Sequence, residues 1–225
     1  MRVLVVTAVP AERDAVTRAL GPDVYGVDAD GVDVIAAGVG PAAAAAGTAT
    51  ALALASATRP YGLVISAGIG GGFARVAPLA SLVVADAIVA ADLGAETPDG
   101  YLPVTALGFG TVEHLPPAAL VRAVADATGA VTGTVLTVST VTGSAARAAE
   151  LRARHAYAAA EAMEGFGVAE AAARHGVPVL EIRAVSNAVG PRDRAAWRIG
   201  EALEALTGAF GKLVPVLEGW DGYDR

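Results

Sequence analysis

The stretch Leu63–Val64–Ile65–Ser66–Ala67–Gly68–Ile69–Gly70–Gly71–Gly72 decides the fold. Leu63–Ser66 is a short apolar run, the pattern of a strand buried on both faces, and it leads directly into glycines. Glycine-rich sequence after a strand predicts a loop in which either the chain turns sharply or a ligand approaches the backbone closely. No Gly-Lys-Ser/Thr follows, so this is not a phosphate-binding Walker loop.

Outward from that stretch, short β-branched runs alternate with alanine-rich helical ones. On the N-terminal side, Val3–Thr7 predicts a buried strand, and a helix follows near Ala11–Leu20 that stops at Gly21–Pro22. Val32–Ala37 predicts a second strand. Gly38–Val39–Gly40–Pro41 then turns into a long helix ending before Arg59–Pro60, with Pro41 in the first turn, where its missing N–H costs nothing. On the C-terminal side, strands are expected at Leu82–Ala91, Gly133–Ser139, Tyr157–Met163 and Val179–Ser186. Helices are expected at Pro116–Thr128, from the Ser144 cap to His155, and at Gly165–His175, closed by Gly176 and Pro178. Leu93–Leu107, with two glycines and two prolines, predicts a loop or hairpin. Ile199, Leu203, Leu206, Phe210 and Leu213 mark one face of a last helix. The expected fold class is α/β: one domain spanning residues 1–225, with a central, mostly parallel mixed sheet flanked by helices. Ligands of such sheets bind beyond the carboxyl ends of the strands.

Composition narrows the function. The 225 residues are 54% hydrophobic and 17% charged, enough apolar material for a large core. Net charge is −7, and the 16 Lys and Arg residues form no basic stripe, which argues against nucleic acid as a partner. No apolar run reaches membrane-spanning length, and acidic Glu12 and Asp14 follow the first strand too soon for a signal peptide. With no cysteine there is no disulfide or thiolate site, in keeping with a cytoplasmic protein. His114, His155 and His175 have no ligand spacing, so neither a metal nor another cofactor is expected.

Gly38–x–Gly40–x–x–Ala43 fits a loose dinucleotide fingerprint. It lies on the second strand–helix unit, however, with no acidic residue roughly twenty positions on. Tight turning and close helix packing account for these glycines, and a nicotinamide enzyme is the minor alternative.

Three polar residues stand at expected strand ends. Glu12 is either a solvated first-turn carboxylate favoured by the helix dipole or a functional acid. Glu164, in Met163–Glu164–Gly165, is a carboxylate among small and apolar residues, and it needs partners whether it caps a helix or binds hydroxyls. Asn187 is either a turn residue or a ligand-facing amide.

At these positions the chain resembles the nucleoside phosphorylase and nucleosidase family, in particular its methylthioadenosine/adenosylhomocysteine nucleosidase branch. Glu12, Gly68–Gly72, Met163–Glu164–Gly165 and Ser186–Asn187 match the family's motifs in order along nearly the whole chain. The resemblance implies a nucleoside phosphorylase-like fold and cleavage of a purine N-glycosidic bond. Glu12 would activate water and Glu164 would hold ribose hydroxyls, with Met163 against the sugar. Ile69 and Gly70 would lie beside base and water, and Thr140 and Val141 would flank the purine. Adenine-specific members carry Asp where Asn187 stands. Asn cannot act as an acid but can donate to a carbonyl oxygen or to N7, so a 6-oxopurine nucleoside is the expected substrate. The continuation to Trp197 is similar to the futalosine-hydrolysing branch, which implies release of hypoxanthine from futalosine in menaquinone biosynthesis. Trp197 would then meet the 5′ substituent, and Arg192, Arg194 or Arg198 a substrate carboxylate. The alternatives are a methylthioadenosine/adenosylhomocysteine-type nucleosidase and a phosphorylase drawing on Arg13 or Arg75. A nucleoside-binding module without turnover would have no need of Glu12. A homodimer or higher homo-oligomer is expected.

Overall fold

The computed structural model of the chain describes residues 1–20 and 31–220, so the expected helix stop at Gly21–Pro22 lies outside the described residues. Strand β1 (Val3–Thr7) is followed by α1 (Pro10–Ala19), β2 (Val32–Ala36), α2 (Pro41–Ser56) and β3 (Leu63–Gly72). Next come β4 (Leu82–Ala90), the hairpin β5 (Gly94–Thr97) and β6 (Gly100–Pro103), and the short β7 (Glu113–His114). The chain continues through α3 (Ala118–Thr128), β8 (Val131–Thr137), α4 (Ala145–Arg154), β9 (Ala158–Ala162), α5 (Gly165–Arg174), β10 (Val179–Ala188) and α6 (Ile199–Gly219).

Alternation along the buried strands assigns the two faces of the sheet. Val3, Val5, Leu63 and Ile65 point to one side and pack with residues of α1, α3 and α6. Leu4, Val6 and Val64 point to the other and pack with α2 and α5. With both faces covered, these strands carry no polar alternation, as their continuous apolar sequence requires. The last helix differs from its expected face: Leu206, Phe210 and Leu213 are buried, but Ile199 is 40% exposed and Ala202 and Ala209 take up the inner positions.

The sheet is mixed, with neighbours in the order β10-β4-β8-β9-β3-β1-β2 and a further pairing of β10 with β3. That extra pairing closes β3, β10, β4, β8 and β9 into a ring. The ring forms because β3 is longer than expected: the predicted glycine loop is strand, and β3 runs through it to Gly72. Its first half pairs with β1, its whole length with β10, and Gly71 and Gly72 pair with β9. The glycines are there for close approach. A Cβ on Gly70 would stand 2.8 Å from the carbonyl oxygen of Glu161.

Helices α2 and α5 also meet at a glycine. A Cβ on Gly167 would overlap the carbonyl of Pro41. Gly167→Ala should therefore force the helices apart and cost about 1–3 kcal/mol, read from the urea unfolding midpoint. An unchanged midpoint would mean that α5 shifts freely.

Candidate active site

Segments after β1, β9 and β10 and the far end of β3 converge on one cavity of about 330 Å³. Glu12, Ile69, Gly70, Val141, Met163, Glu164, Asn187 and Trp197 all line it. The exception among the expected residues is Thr140, which is exposed and stands just outside the lining, next to Val141.

Glu12 occupies the third position of α1 and reaches back over the helix start, the geometry of half a capping box. Its Oε2 accepts from the backbone N–H of Ala8 (3.0 Å) and Val9 (3.3 Å), and its Oε1 from that of Ile69 (2.9 Å). A carboxylate accepts at about four positions; the vacant one is on Oε1. Rather than being solvated, the side chain is buried at 4% exposure. Glu164 stands at the N-cap position of α5, but its side chain turns away from the helix: Oε1 accepts from Gly40 N (3.2 Å) and Oε2 from Arg183 Nη1 (3.3 Å). The Gly38–Gly40 turn thus holds a site carboxylate, and the positive φ values of Gly38 and Gly40 are what let its amide point there.

Asn187 is inside a strand rather than just past its expected end at Ser186, because β10 continues to Ala188. A bulge between Val185 and Asn187 makes Ser186 the extra residue opposite Gly70 and Gly71. Bulges of this kind re-aim side chains beside ligand sites. Ser186 Oγ lies 2.8 Å from Asn187 Oδ1, which turns the amide nitrogen outward. Asn187 Nδ2 donates to Ala188 O (3.1 Å) and keeps one hydrogen to give.

Two groups beneath the site were not anticipated. Glu181 and Arg183 are two residues apart on β10, so they share a face, and both are completely buried. Arg183 donates from Nε to Glu181 Oε1 (2.8 Å) and from Nη2 to Ser66 Oγ (2.9 Å), besides its bond to Glu164. Burial works against the Arg183 charge, but Glu181, Glu164 and Glu12 outweigh it and raise its pKa. At Glu181 burial dominates and pushes the carboxyl pKa up, although Arg183 opposes it. A Cβ on Gly68 would stand 2.6 Å from Glu12 Oε1 and 2.7 Å from Arg183 Nη1, so only glycine fits between them. A third missed residue, Glu161, lines the cavity at 4% exposure.

Among the described residues lining the cavity none is Lys or Arg. Arg13 is half-buried and paired with Asp14 (2.8 Å), and Arg75 is exposed. Trp197 is half-buried on the wall, with Arg192 and Arg194 over its ring at 5.8 and 5.9 Å, while Arg198 faces Glu201 at 3.6 Å.

This arrangement of three carboxylates and an amide around one cavity, on a mixed sheet closed by a shared glycine strand, defines a class. The chain belongs to the phosphorylase superfamily, whose family model matches residues 10–214. Within it, the chain is 71% identical to a futalosine hydrolase of Streptomyces coelicolor over the whole of both chains. It is 48% identical to a futalosine hydrolase of Acidothermus cellulolyticus, covering 93% of this chain and 89% of the relative. Among solved structures, the S-adenosylhomocysteine nucleosidase of Streptococcus pyogenes, in complex with 5-methylthiotubericidin, shares the fold. Its TM-score is 0.80 at 18% identity, over 95% of this chain and 96% of that one.

Removing the guanidinium under the site should expose how much rests on it. Arg183→Met leaves buried carboxylates without their cation and should lower stability by about 3–5 kcal/mol at neutral pH. A loss below about 1 kcal/mol by urea titration would mean that water reaches those carboxylates.

Proposed function

We propose that the chain hydrolyses the N-glycosidic bond of futalosine, releasing hypoxanthine and dehypoxanthine futalosine, a step of menaquinone biosynthesis. The observation that carries this reading is the full-length 71% identity to a futalosine hydrolase, joined to a cavity lined by Glu12, Glu164 and Asn187. The mechanism is dissociative. As the bond to the base lengthens, charge grows on the purine and the ribose becomes cationic. Asn187 donates its remaining N–H to the base at O6 or N7, a fixed dipole aimed at developing negative charge. Glu164 keeps one acceptor position free on each oxygen, a match for two neighbouring ribose hydroxyls. Met163 packs against the sugar, with Ile69, Gly70 and Val141 around base and water. Glu12 uses its vacant Oε1 position to draw a proton from the attacking water as oxygen bonds to C1′. Trp197 lies against the 5′ substituent, and Arg192 and Arg194, which stand over its ring, offer cations for a benzoate. The protein works as a cytoplasmic homo-oligomer.

The absence of Lys and Arg among the described residues of the wall favours water over phosphate as nucleophile. Hypoxanthine release from futalosine should be as fast in phosphate-free buffer as at high phosphate. Glu12→Gln should slow it by roughly 10²-fold with little change in binding. A ribose 1-phosphate product, or near-normal turnover of the variant, would overturn the mechanism.

Asn187 carries the base preference. Asp at this position accepts where Asn donates, and an unmatched buried polar group costs about 1–3 kcal/mol. Asn187→Asp should cut the ratio of kcat/KM for futalosine to that for its 6-amino counterpart by roughly tenfold or more. An unchanged ratio would remove Asn187 from base selection.

A further inference from the structure

Glu161 is a buried carboxylate on the cavity wall that the mechanism above leaves unused. It sits in β9, whose other four residues are all alanine. Its Oε1 accepts from Thr142 N (2.9 Å) and its Oε2 from Thr142 Oγ1 (2.5 Å). Among the described residues it has no ion-pair partner, and each oxygen retains an acceptor position. Holding a backbone amide and a hydroxyl does not need a charge, since a carboxamide oxygen accepts equally well. Burying a carboxylate is costly without further donors. Burial raises its pKa, with the two bonds from Thr142 working against that rise.

Strand register shows where a further donor would come from. Gly71 pairs with Asn187 on one side and with Glu161 on the other. Residues in register across a sheet share a face. Asn187, Gly71 and Glu161 therefore form a row across three adjacent strands, with the outer two roughly 9–10 Å apart at strand spacing. The middle position has no side chain, which leaves a flat floor. A planar base whose C6 corner lies over Gly71 presents its O6/N7 edge to Asn187 and its N1, the ring atom next to C6, to Glu161. In a 6-oxopurine N1 carries a hydrogen and must donate; in adenine N1 is an acceptor.

We propose that Glu161 accepts the N1–H of the 6-oxopurine, so that Asn187 and Glu161 together select hypoxanthine over adenine. This rests on the nucleoside-hydrolase reading of the same cavity. An adenine base would face Glu161 with an N1 lone pair, acceptor against acceptor, while its 6-amino group would oppose the donating amide of Asn187. Two mismatches, at N1 and at the adjacent 6-position, discriminate more strongly than Asn187 alone.

The test compares kcat/KM for futalosine and its 6-amino counterpart in the full-length wild type, Glu161→Ala, Glu161→Gln and Thr142→Val. Wild type should prefer futalosine. Glu161→Ala should lose roughly 10–100-fold on futalosine and leave the 6-amino compound within about threefold. Equal loss on both substrates, or an undiminished preference, would overturn the proposal. Thr142→Val loosens the same loop but keeps the carboxylate, so it should retain the preference; if it collapses the ratio as Glu161→Ala does, Glu161 acts through the loop and the proposal fails. Should Glu161→Ala not fold, Glu161→Gln, which keeps one acceptor oxygen for Thr142, takes its place under the same criteria. If wild type shows no preference for futalosine, the base assignment of the proposed function fails first. Calorimetric binding of free hypoxanthine and 1-methylhypoxanthine then decides the role of Glu161 separately. Wild type should bind the methylated base at least about tenfold more weakly, with the difference erased in Glu161→Ala; equal binding by wild type would overturn the proposal.

Discussion

One guanidinium, wholly enclosed beneath the cavity, sets the terms for the residues around it. Arg183 bonds to Glu181, Glu164 and Ser66, and its charge is further favoured by Glu12. An isolated buried charge is expensive, so every neighbour must be placed to compensate it. This requirement passes into the sequence as glycines. A side chain at Gly68 would wedge between Arg183 and Glu12, and one at Gly165 would overlap both oxygens of Glu181. The glycine after Met163–Glu164 and the first glycine of the cluster are therefore consequences of the ion network. Among the described residues Glu181 Oε2 has no hydrogen-bond partner, in accord with a carboxyl whose pKa burial raises.

The network fixes the site only because β3 is shared. An ordinary strand has two neighbours, whereas β3 bonds to β10 along nearly its whole length and to β1 and then β9 along successive parts of it. Sharing brings residues far apart in sequence to one place: Glu12 beyond β1, Glu164 beyond β9 and Asn187 near the end of β10. Backbones must approach closely at the crossing, and the chain supplies positions without side chains from Gly70 to Gly72. Those positions also leave the floor of the cavity flat, so the feature that closes the sheet is the one that makes room for a planar ligand.

Most of the architecture was legible because buried strands and capped helices write themselves into local pattern. The Ser144 cap is one example, its hydroxyl accepting from Arg147 N. Local pattern failed where a long-range contact decided the outcome. Glycines 68–72 read as a loop since nothing nearby in sequence reveals that a second and third strand will pair with them. For the same reason Asn187 read as standing just past a strand end, where the strand in fact runs on to Ala188. Glu12, Glu164 and Asn187 stood out as polar residues at strand ends, but Glu161 was hidden in an alanine run whose only mark was the carboxylate itself. Glu181 and Arg183 did leave a signal: opposite charges two apart on an apolar strand face the same way and meet. Thr140, expected beside the purine together with Val141, stands next to the lining.

The same accounting of donors bears on the choice of nucleophile. Phosphate carries concentrated negative charge and needs cations or several free N–H groups to enter a site. Here each nitrogen of Arg183 already has a protein partner, and the amides of Ala8, Val9 and Ile69 are all spent on Glu12. What remains open is mainly acceptor capacity on Glu12, Glu164 and Glu161, together with one N–H of Asn187. A surface that offers acceptors attracts groups that donate: water, sugar hydroxyls and a ring N–H. Phosphate would meet carboxylates in their place. Hydrolysis thus follows from how the hydrogen bonds beneath the cavity are already committed, before any substrate arrives.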